Sequence, residues 1–304
     1  MTKVEVHKKA SLAGHTDCIY TLCPSPNDQF FFSSGGDGIV ARWDLANPEI
    51  GDLIVRVPNS VYALYCLQAQ KQLLVGQNFE GLHLIDLENK QEIRSVKLTD
   101  AAIFDIQCYG SDIFVACGDG VVIVVDYETF ALRKHLKASD KSARCLSINP
   151  IEREFAVGYS DHSIKIFGLQ DLDLHQSLQA HKNSVFALRY TPDGQYLLSG
   201  SRDAHLKVWE VEKKYALYES IVAHLYAINH LDFSPDGNYM ATCSMDKSVK
   251  VWDIKTWQLI KVIDKARHAG HGTSVNKLLW SAYENLLISG SDDRLISVWD
   301  LTFL

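Results

Sequence analysis

Four residue types recur along this chain at fixed intervals, and that recurrence restricts the fold more than any other feature. Within Gln179–Val211, His181 precedes an alternating run, Val185–Tyr190. A Thr-Pro-Asp-Gly turn follows at Thr191–Gly194, and a second run then ends in Ser199. A tight turn holds Asp203, and a third run ends in Trp209-Glu210. Short apolar runs separated by Pro, Asp and Gly turns describe an antiparallel meander. His15, Ser33, Asp37 and Trp43 repeat the spacing of His181, Ser199, Asp203 and Trp209. So do His224, Thr242, Asp246 and Trp252, and again His271, Ser289, Asp293 and Trp299. In every set the Asp lies 22 residues after the His and the Trp 6 after the Asp.

The residue at the Trp position marks the period through the whole chain. It falls at Trp43, Ile85, Val125, Phe167, Trp209, Trp252 and Trp299, at intervals of 42, 40, 42, 42, 43 and 47. A period of this length is that of a four-stranded propeller blade. In unit 1 the strands are expected near Ile19–Leu22, Phe30–Ser34, Ile39–Asp44 and Asp52–Val57. The expected fold is all-β: a single seven-bladed β-propeller of four-stranded antiparallel blades. The units run approximately 13–57, 58–98, 99–137, 138–178, 179–222, 223–264 and 265–304. The last unit has only Leu301–Leu304 after Trp299-Asp300, too little for a fourth strand of its own. A spare segment, residues 3–12, precedes the first unit. This N-terminal segment is expected to complete the last blade and close the ring, which leaves only short outer edges.

Composition narrows the class. A net charge of −7 with scattered Lys and Arg weighs against a nucleic-acid surface, because neutralising phosphate needs clustered cations. The seven cysteines are odd in number, lack a C-x-x-C pair and sit mostly inside strand-like runs. They are read as buried thiols in a reducing compartment. Residues 1–14 carry no apolar core or cleavage pattern, and no stretch approaches a membrane span. A cytoplasmic protein is expected, or a nuclear one if the source is eukaryotic.

These marks resemble the WD-repeat β-propeller family over essentially the whole chain. They are Gly14-His15 and Gly270-His271, the variants Ala180-His181 and Ala223-His224, and the pairs Trp43-Asp44, Trp252-Asp253 and Trp299-Asp300, with Trp209-Glu210. Ser234–Gly237 and the Ser-Gly-Ser runs at Ser199 and Ser289 are also typical. The resemblance implies that each His, Ser or Thr, Asp and Trp set is a structural tetrad bonded inside its blade. The alternative, a hydrolase triad, fails because the set occurs four times with its Ser in mid-strand. Blades 2, 3 and 4 depart from the pattern, with Val57, Lys97 and Ser139 at the His position. Asp119 and Asp161 persist in blades 3 and 4, but blade 2 has Phe79 there.

The resemblance also implies that partners meet the face carrying the His loops. Five residues beyond the His position lies a ring of Tyr20, Tyr62, Phe104, Arg144, Phe186, Asn229 and Asn276. These side chains are expected to face solvent. A second ring precedes the turn Asp: Gly36, Asn78, Gly118, Ser160, Arg202, Met245 and Asp292. Tyr, Phe and Arg dominate interface energies. The partner-binding set is therefore Tyr20, Tyr62, Phe104, Arg144, Phe186, Arg202, Asn229, Met245, Asn276 and Asp292. Arg144 and Arg202, with Lys141 and Lys182 nearby, suit a carboxylate or phosphate on a partner. The long loop Asp264–Thr273 is expected to be a flexible binding loop. Its His268 and His271 lack acidic or Cys partners at ligand spacing, so no metal is assigned. Asp292-Asp293, Asp171 and Asp173 are read as solvated turn acids.

The expected function is a non-enzymatic scaffold or adaptor for other proteins or peptides, within a multi-protein complex. No cofactor, membrane or small-molecule substrate is assigned. An alternative is a reader of short phosphorylated or methylated peptides. A propeller enzyme is disfavoured, because the first ring offers no acid and the second only Asp292.

Overall fold

In the computed structural model, which describes residues 3–304, the chain forms seven four-stranded antiparallel sheets, the blades of a seven-bladed β-propeller. Blade 1 comprises Ile19–Pro24, Phe30–Gly35, Ile39–Asp44 and Asp52–Arg56. In blades 1 to 6 the strands lie side by side in chain order. Second strands are buried on both faces and read as apolar or small-residue runs, such as Asp112–Cys117; most third strands alternate, with half-buried residues such as Arg42 and Lys207 between buried ones. Fourth strands are mostly exposed, and their sequences turn polar accordingly, as in Gln91–Lys97.

Turn chemistry sets the strand ends. Gly194 adopts φ +70° and donates its N–H to Thr191 O at 2.8 Å. Gly237 does the same in Ser234–Gly237, with φ +68° and a 2.8 Å bond to Ser234 O.

By their contacts the residues group into two compact units. The first contains residues 3–73, 85–91 and 229–304; the second contains 74–84 and 92–228. In the first, the N-terminal strand Val4–Ala13 pairs antiparallel with Leu295–Phe303, from Val4 opposite Phe303 to Ala13 opposite Leu295. It is the outermost strand of the last blade, as the chain ends suggested. Val4 is buried there with Trp280, Trp299 and Leu301. In the second, Phe155 stacks on Phe167 at 5.2 Å and meets Phe114 at 4.7 Å, an aromatic core for blades without the tetrad Trp.

The segment expected to be a flexible loop is instead locally closed. Lys265–His268 is one helical turn capped by Asp264, whose side chain accepts Arg267 N–H at 2.9 Å. Lys8 Nζ donates to Ala269 O at 2.8 Å and pins its far end to the N-terminal strand. Capping satisfies the backbone groups that a free loop would leave to water, which is why the five extra residues do not loosen it.

Candidate functional site

The tetrads place the loops that frame the candidate site. In blade 5, Trp209 Nε1 donates to Ser199 Oγ at 2.8 Å. Ser199 Oγ lies 2.8 Å from His181 Nε2, and His181 Nδ1 lies 3.1 Å from Asp203 Oδ2. An ionised carboxylate only accepts and the indole only donates. Nδ1 therefore carries the proton and donates to Asp203, and Ser199 donates its O–H to Nε2. Burial outweighs the carboxylate's pull and holds the His181 imidazole below its ordinary range, so the ring is neutral. Burial alone would raise the Asp203 carboxyl; His181 and the backbone N–H groups of Lys182 and His205 hold it well below the usual range.

Blades 1 and 7 repeat the arrangement. His15 bridges Ser33 at 2.7 Å and Asp37 at 3.0 Å, with Trp43 donating to Ser33 at 2.7 Å. His271 bridges Ser289 at 2.9 Å and Asp293 at 3.0 Å, with Trp299 donating to Ser289 at 2.9 Å. Asp293 is pulled down to about 2: burial opposes this, but His271 and the N–H groups of Gly272 and Leu295 prevail. In blade 6, Trp252 donates to Thr242 Oγ1 at 2.9 Å, and His224 is buried. Blade 4 has its own substitute: Ser139, at the His position, donates to Asp161 at 2.6 Å.

The first-ring residues share a feature that spacing alone did not reveal. In the five inner strands Ile19–Pro24, Ile103–Tyr109, Ala143–Asn149, Val185–Tyr190 and Val275–Trp280, the pairing register skips one residue. The skipped residues are Tyr20, Phe104, Arg144, Phe186 and Asn276. A β-bulge leaves its extra residue out of the ladder and re-aims the side chain. The bulge is thus what separates the ring from the alternation of its strand.

The rings are less open than expected. All seven first-ring residues are half-buried. In the first unit Tyr20 meets Tyr62 edge to face, with centroids 4.7 Å apart. Burial, reinforced by Cys18, pushes the Tyr20 hydroxyl well above its usual range. Asn276 Nδ2 donates to Ile19 O at 2.9 Å and to Asp292 Oδ1 at 2.6 Å. Asp292 is therefore a half-buried bonded acid and not a solvated one. Asn229 Nδ2 donates to Ser274 Oγ at 3.0 Å and to Val275 O at 2.8 Å. Asp171 also has a partner, His175 Nε2 at 3.1 Å.

In the second unit the Arg144 guanidinium lies between two rings, 3.7 Å from the Phe104 centroid and 4.7 Å from that of Phe186. Arg202 is exposed there, and so is Met245 in the first unit. Asn78 departs from expectation: it is fully buried, and its Oδ1 accepts Ile103 N–H at 2.7 Å. The next residue, Phe79, takes the exposed place. Its ring is 55% exposed although its backbone has φ +64°, a left-handed conformation that costs a non-glycine residue about 1 kcal/mol or more. Sequence reasoning noted Phe79 only as a missing Asp.

No grouping of His, Cys, Asp and Glu suited to a metal occurs among the described residues. All seven cysteines are free thiols, and burial pushes Cys66 up to about 12. No helix among the described residues is long and apolar enough to cross a membrane.

Comparison with known proteins agrees with this architecture. The family described as "WD domain, G-beta repeat" matches residues 7–44, 172–210, 216–253 and 261–300, just over half of the chain. The protein groucho of Drosophila melanogaster is 25% identical over 67% of this chain, which spans 29% of groucho. A striatin homolog of Dictyostelium discoideum is 24% identical over 68% of the chain and 22% of its own length. THO complex subunit 3 of Arabidopsis thaliana is 23% identical over 68% of the chain and 67% of its own length. The first two are thus covered for less than a third of their length. Four family matches, each spanning one His–Ser/Thr–Asp–Trp set, together with seven four-stranded blades, establish that this chain belongs to the WD-repeat family.

Proposed function

We propose that the chain is a non-enzymatic scaffold that binds partner proteins on the face carrying the His loops. The observation that carries this reading is the set of bulge-aimed ring residues, with Arg144 stacked between Phe104 and Phe186. Stacking fixes the plane of a guanidinium. Little side-chain entropy then remains to be lost on binding. Phe79 adds an exposed aromatic held in a strained turn, the type of feature that clusters at binding sites. The relatives give coarse support, since THO complex subunit 3 is by its name part of a complex. Free thiols, five of the seven buried, suit a reducing compartment, the cytoplasm or, in a eukaryote, the nucleus.

A second reading, recognition of a short modified peptide, takes a narrower form. Arg144 already fills the space between Phe104 and Phe186, which favours a phosphate or carboxylate over a methylated lysine. The experiment compares partners that co-purify with wild type, Tyr62→Ala, Phe186→Ala and Arg144→Glu. Loss of a partner at unchanged melting temperature supports the face as the site. Full retention by all three variants refutes it.

A further inference from the structure

The outer strands of the blades are not equivalent. Those of blades 1 to 4, 6 and 7 each carry Lys, Arg or His: Arg56, Arg94, four basic residues in Leu132–Lys137, His175, Lys261, and the His-Lys-Lys run of Val4–Ala13. Cations on an edge discourage pairing with another chain. The outer strand of blade 5, Ala216–Val222, reads A-L-Y-E-S-I-V and has none. It also exposes three large apolar side chains, Leu217, Tyr218 and Val222. Among the described residues no other outer strand exposes more than one. Beyond its end the chain presents Leu225, 82% exposed, and Tyr226. At the other three tetrad loops the corresponding pairs are Thr16-Asp17, Lys182-Asn183 and Gly272-Thr273.

This edge is polarised. At its start Tyr218 packs on Tyr196, with centroids 5.5 Å apart. Tyr196 lines a groove of about 240 Å³ shared with Glu152, Asp193, Glu210 and Glu212. Lys213 pairs with Glu210 at 3.1 Å and offsets one of these four carboxylates. At the other end lie Val222, Leu225 and Tyr226. Along the edge, Ser220 N–H is held by the Glu219 carboxylate at 3.0 Å instead of by a strand.

We propose that the outer edge of blade 5 accepts an extended segment of a partner protein as a fifth strand. The segment is apolar at alternate positions and carries a Lys or Arg at the end that reaches the acidic groove. The register skips Tyr218, a bulge that turns its side chain out of the ladder; beyond it Glu219–Val222 offer roughly 13 Å of regular backbone for pairing, and strand addition draws affinity from main-chain bonds and specificity from alternate side chains. A second copy of this chain does not fit. Two-fold pairing of the strand with itself is antiparallel. It would set the groove carboxylates against Leu225 and Tyr226 of the other copy, which leaves desolvated charge without a partner.

The test pans a displayed random 12-residue peptide library on the full chain. Synthetic versions of the enriched peptides are then measured against variants. Enriched sequences are expected to alternate β-branched or aromatic residues and to carry Lys or Arg at one end. They should bind Tyr218→Lys and the Glu210→Lys, Glu212→Lys double variant at least tenfold more weakly. N-methylation of the peptide backbone should abolish binding, and the Ser220 amide should gain hydrogen-exchange protection. Arg144→Glu should bind as wild type does, which separates this edge from the His-loop face. Failure to enrich any peptide, enrichment of acidic or proline-rich sequences, or equal binding to Tyr218→Lys overturns the proposal. A concentration-dependent dimer abolished by Tyr218→Lys overturns it too, in favour of a second copy.

Discussion

Ser199 serves two neighbours at once, accepting from Trp209 at 2.8 Å and reaching His181 Nε2 at 2.8 Å. Ser199→Ala would strand an indole N–H and an imidazole nitrogen in a dry interior, at about 1–3 kcal/mol each. In a domain of this size each kcal/mol moves the melting temperature by roughly 2–4 °C. Scanning calorimetry should therefore record a fall of roughly 4 °C or more. Blade 4 carries Val157 and Phe167 at the same two positions. Adding Trp209→Phe to Ser199→Val should recover part of the loss, because the unsatisfied donor leaves with the indole. Additive losses from the two single changes would show that the bond is not coupled. Phe79 poses the opposite case. With φ +64° and more than half of its surface exposed, it carries backbone strain while burying little of its ring. Phe79→Gly should hold or raise the melting temperature by a few degrees, since glycine adopts this conformation freely. The same change should weaken partner capture on the His-loop face. A variant that melts lower, or one that keeps every partner, contradicts this account.

Between blades 4 and 5, both in the second unit, a polar chain runs from the interior to the surface. Tyr190 and Tyr215 hydroxyls lie 2.8 Å apart, and Tyr215 donates to Glu154 at 2.8 Å. The other Glu154 oxygen lies 3.0 Å from His175, whose second nitrogen meets Asp171 at 3.1 Å. Glu154 first and Asp171 second raise the His175 pKa above its ordinary value. A group raised on folding adds stability that is complete below the unfolded value near 6.5 and is lost as pH climbs through the folded one. The urea midpoint should thus decline on the alkaline side of about pH 6.5, and His175→Gln should remove that decline. His175 is partly exposed and screened, so the effect should stay below about 1 kcal/mol. Identical pH profiles for the two proteins would remove the latch. Gly168 makes room for it: a Cβ there would sit 2.3 Å from Asp171 Oδ1 and 2.7 Å from the His175 ring. None of this was visible in the sequence, where Asp171 read as a solvated turn acid and nothing marked His175. The repeat marks residues that recur, and this chain of bonds occurs in one place.

The same limit explains which parts of the molecule the sequence revealed. The blade count, the tetrads and the closing role of the N-terminal segment all follow from a period that repeats within one chain. The state of the ring does not. Whether Arg144 faces solvent depends on Phe104 and Phe186, each about one repeat away, and the bulge that aims all three has no residue signature of its own. The closing strand is where the whole architecture can be tested. Val4 and Leu12 are 3% and 2% exposed, and burial of each is worth about 1.5–3 kcal/mol. Lys8 adds its bond to Ala269 O and lies 5.4 Å above the Trp299 ring. Deleting residues 1–12 removes these contacts and uncovers the edge of Leu295–Phe303, so the melting temperature should drop by roughly 10 °C or more. An exposed edge of defined register is also a receptor. A synthetic peptide of residues 1–12, added in excess, should restore the melting temperature in proportion to the logarithm of its concentration, as for any ligand of the native state. Scrambling the peptide should abolish the rescue, because the pairing from Val4 opposite Phe303 to Ala13 opposite Leu295 places the apolar side chains inward only in one order. If the deletion leaves the melting point unchanged, the strand does not close the blade; if the scrambled peptide works equally well, register does not matter to the closure.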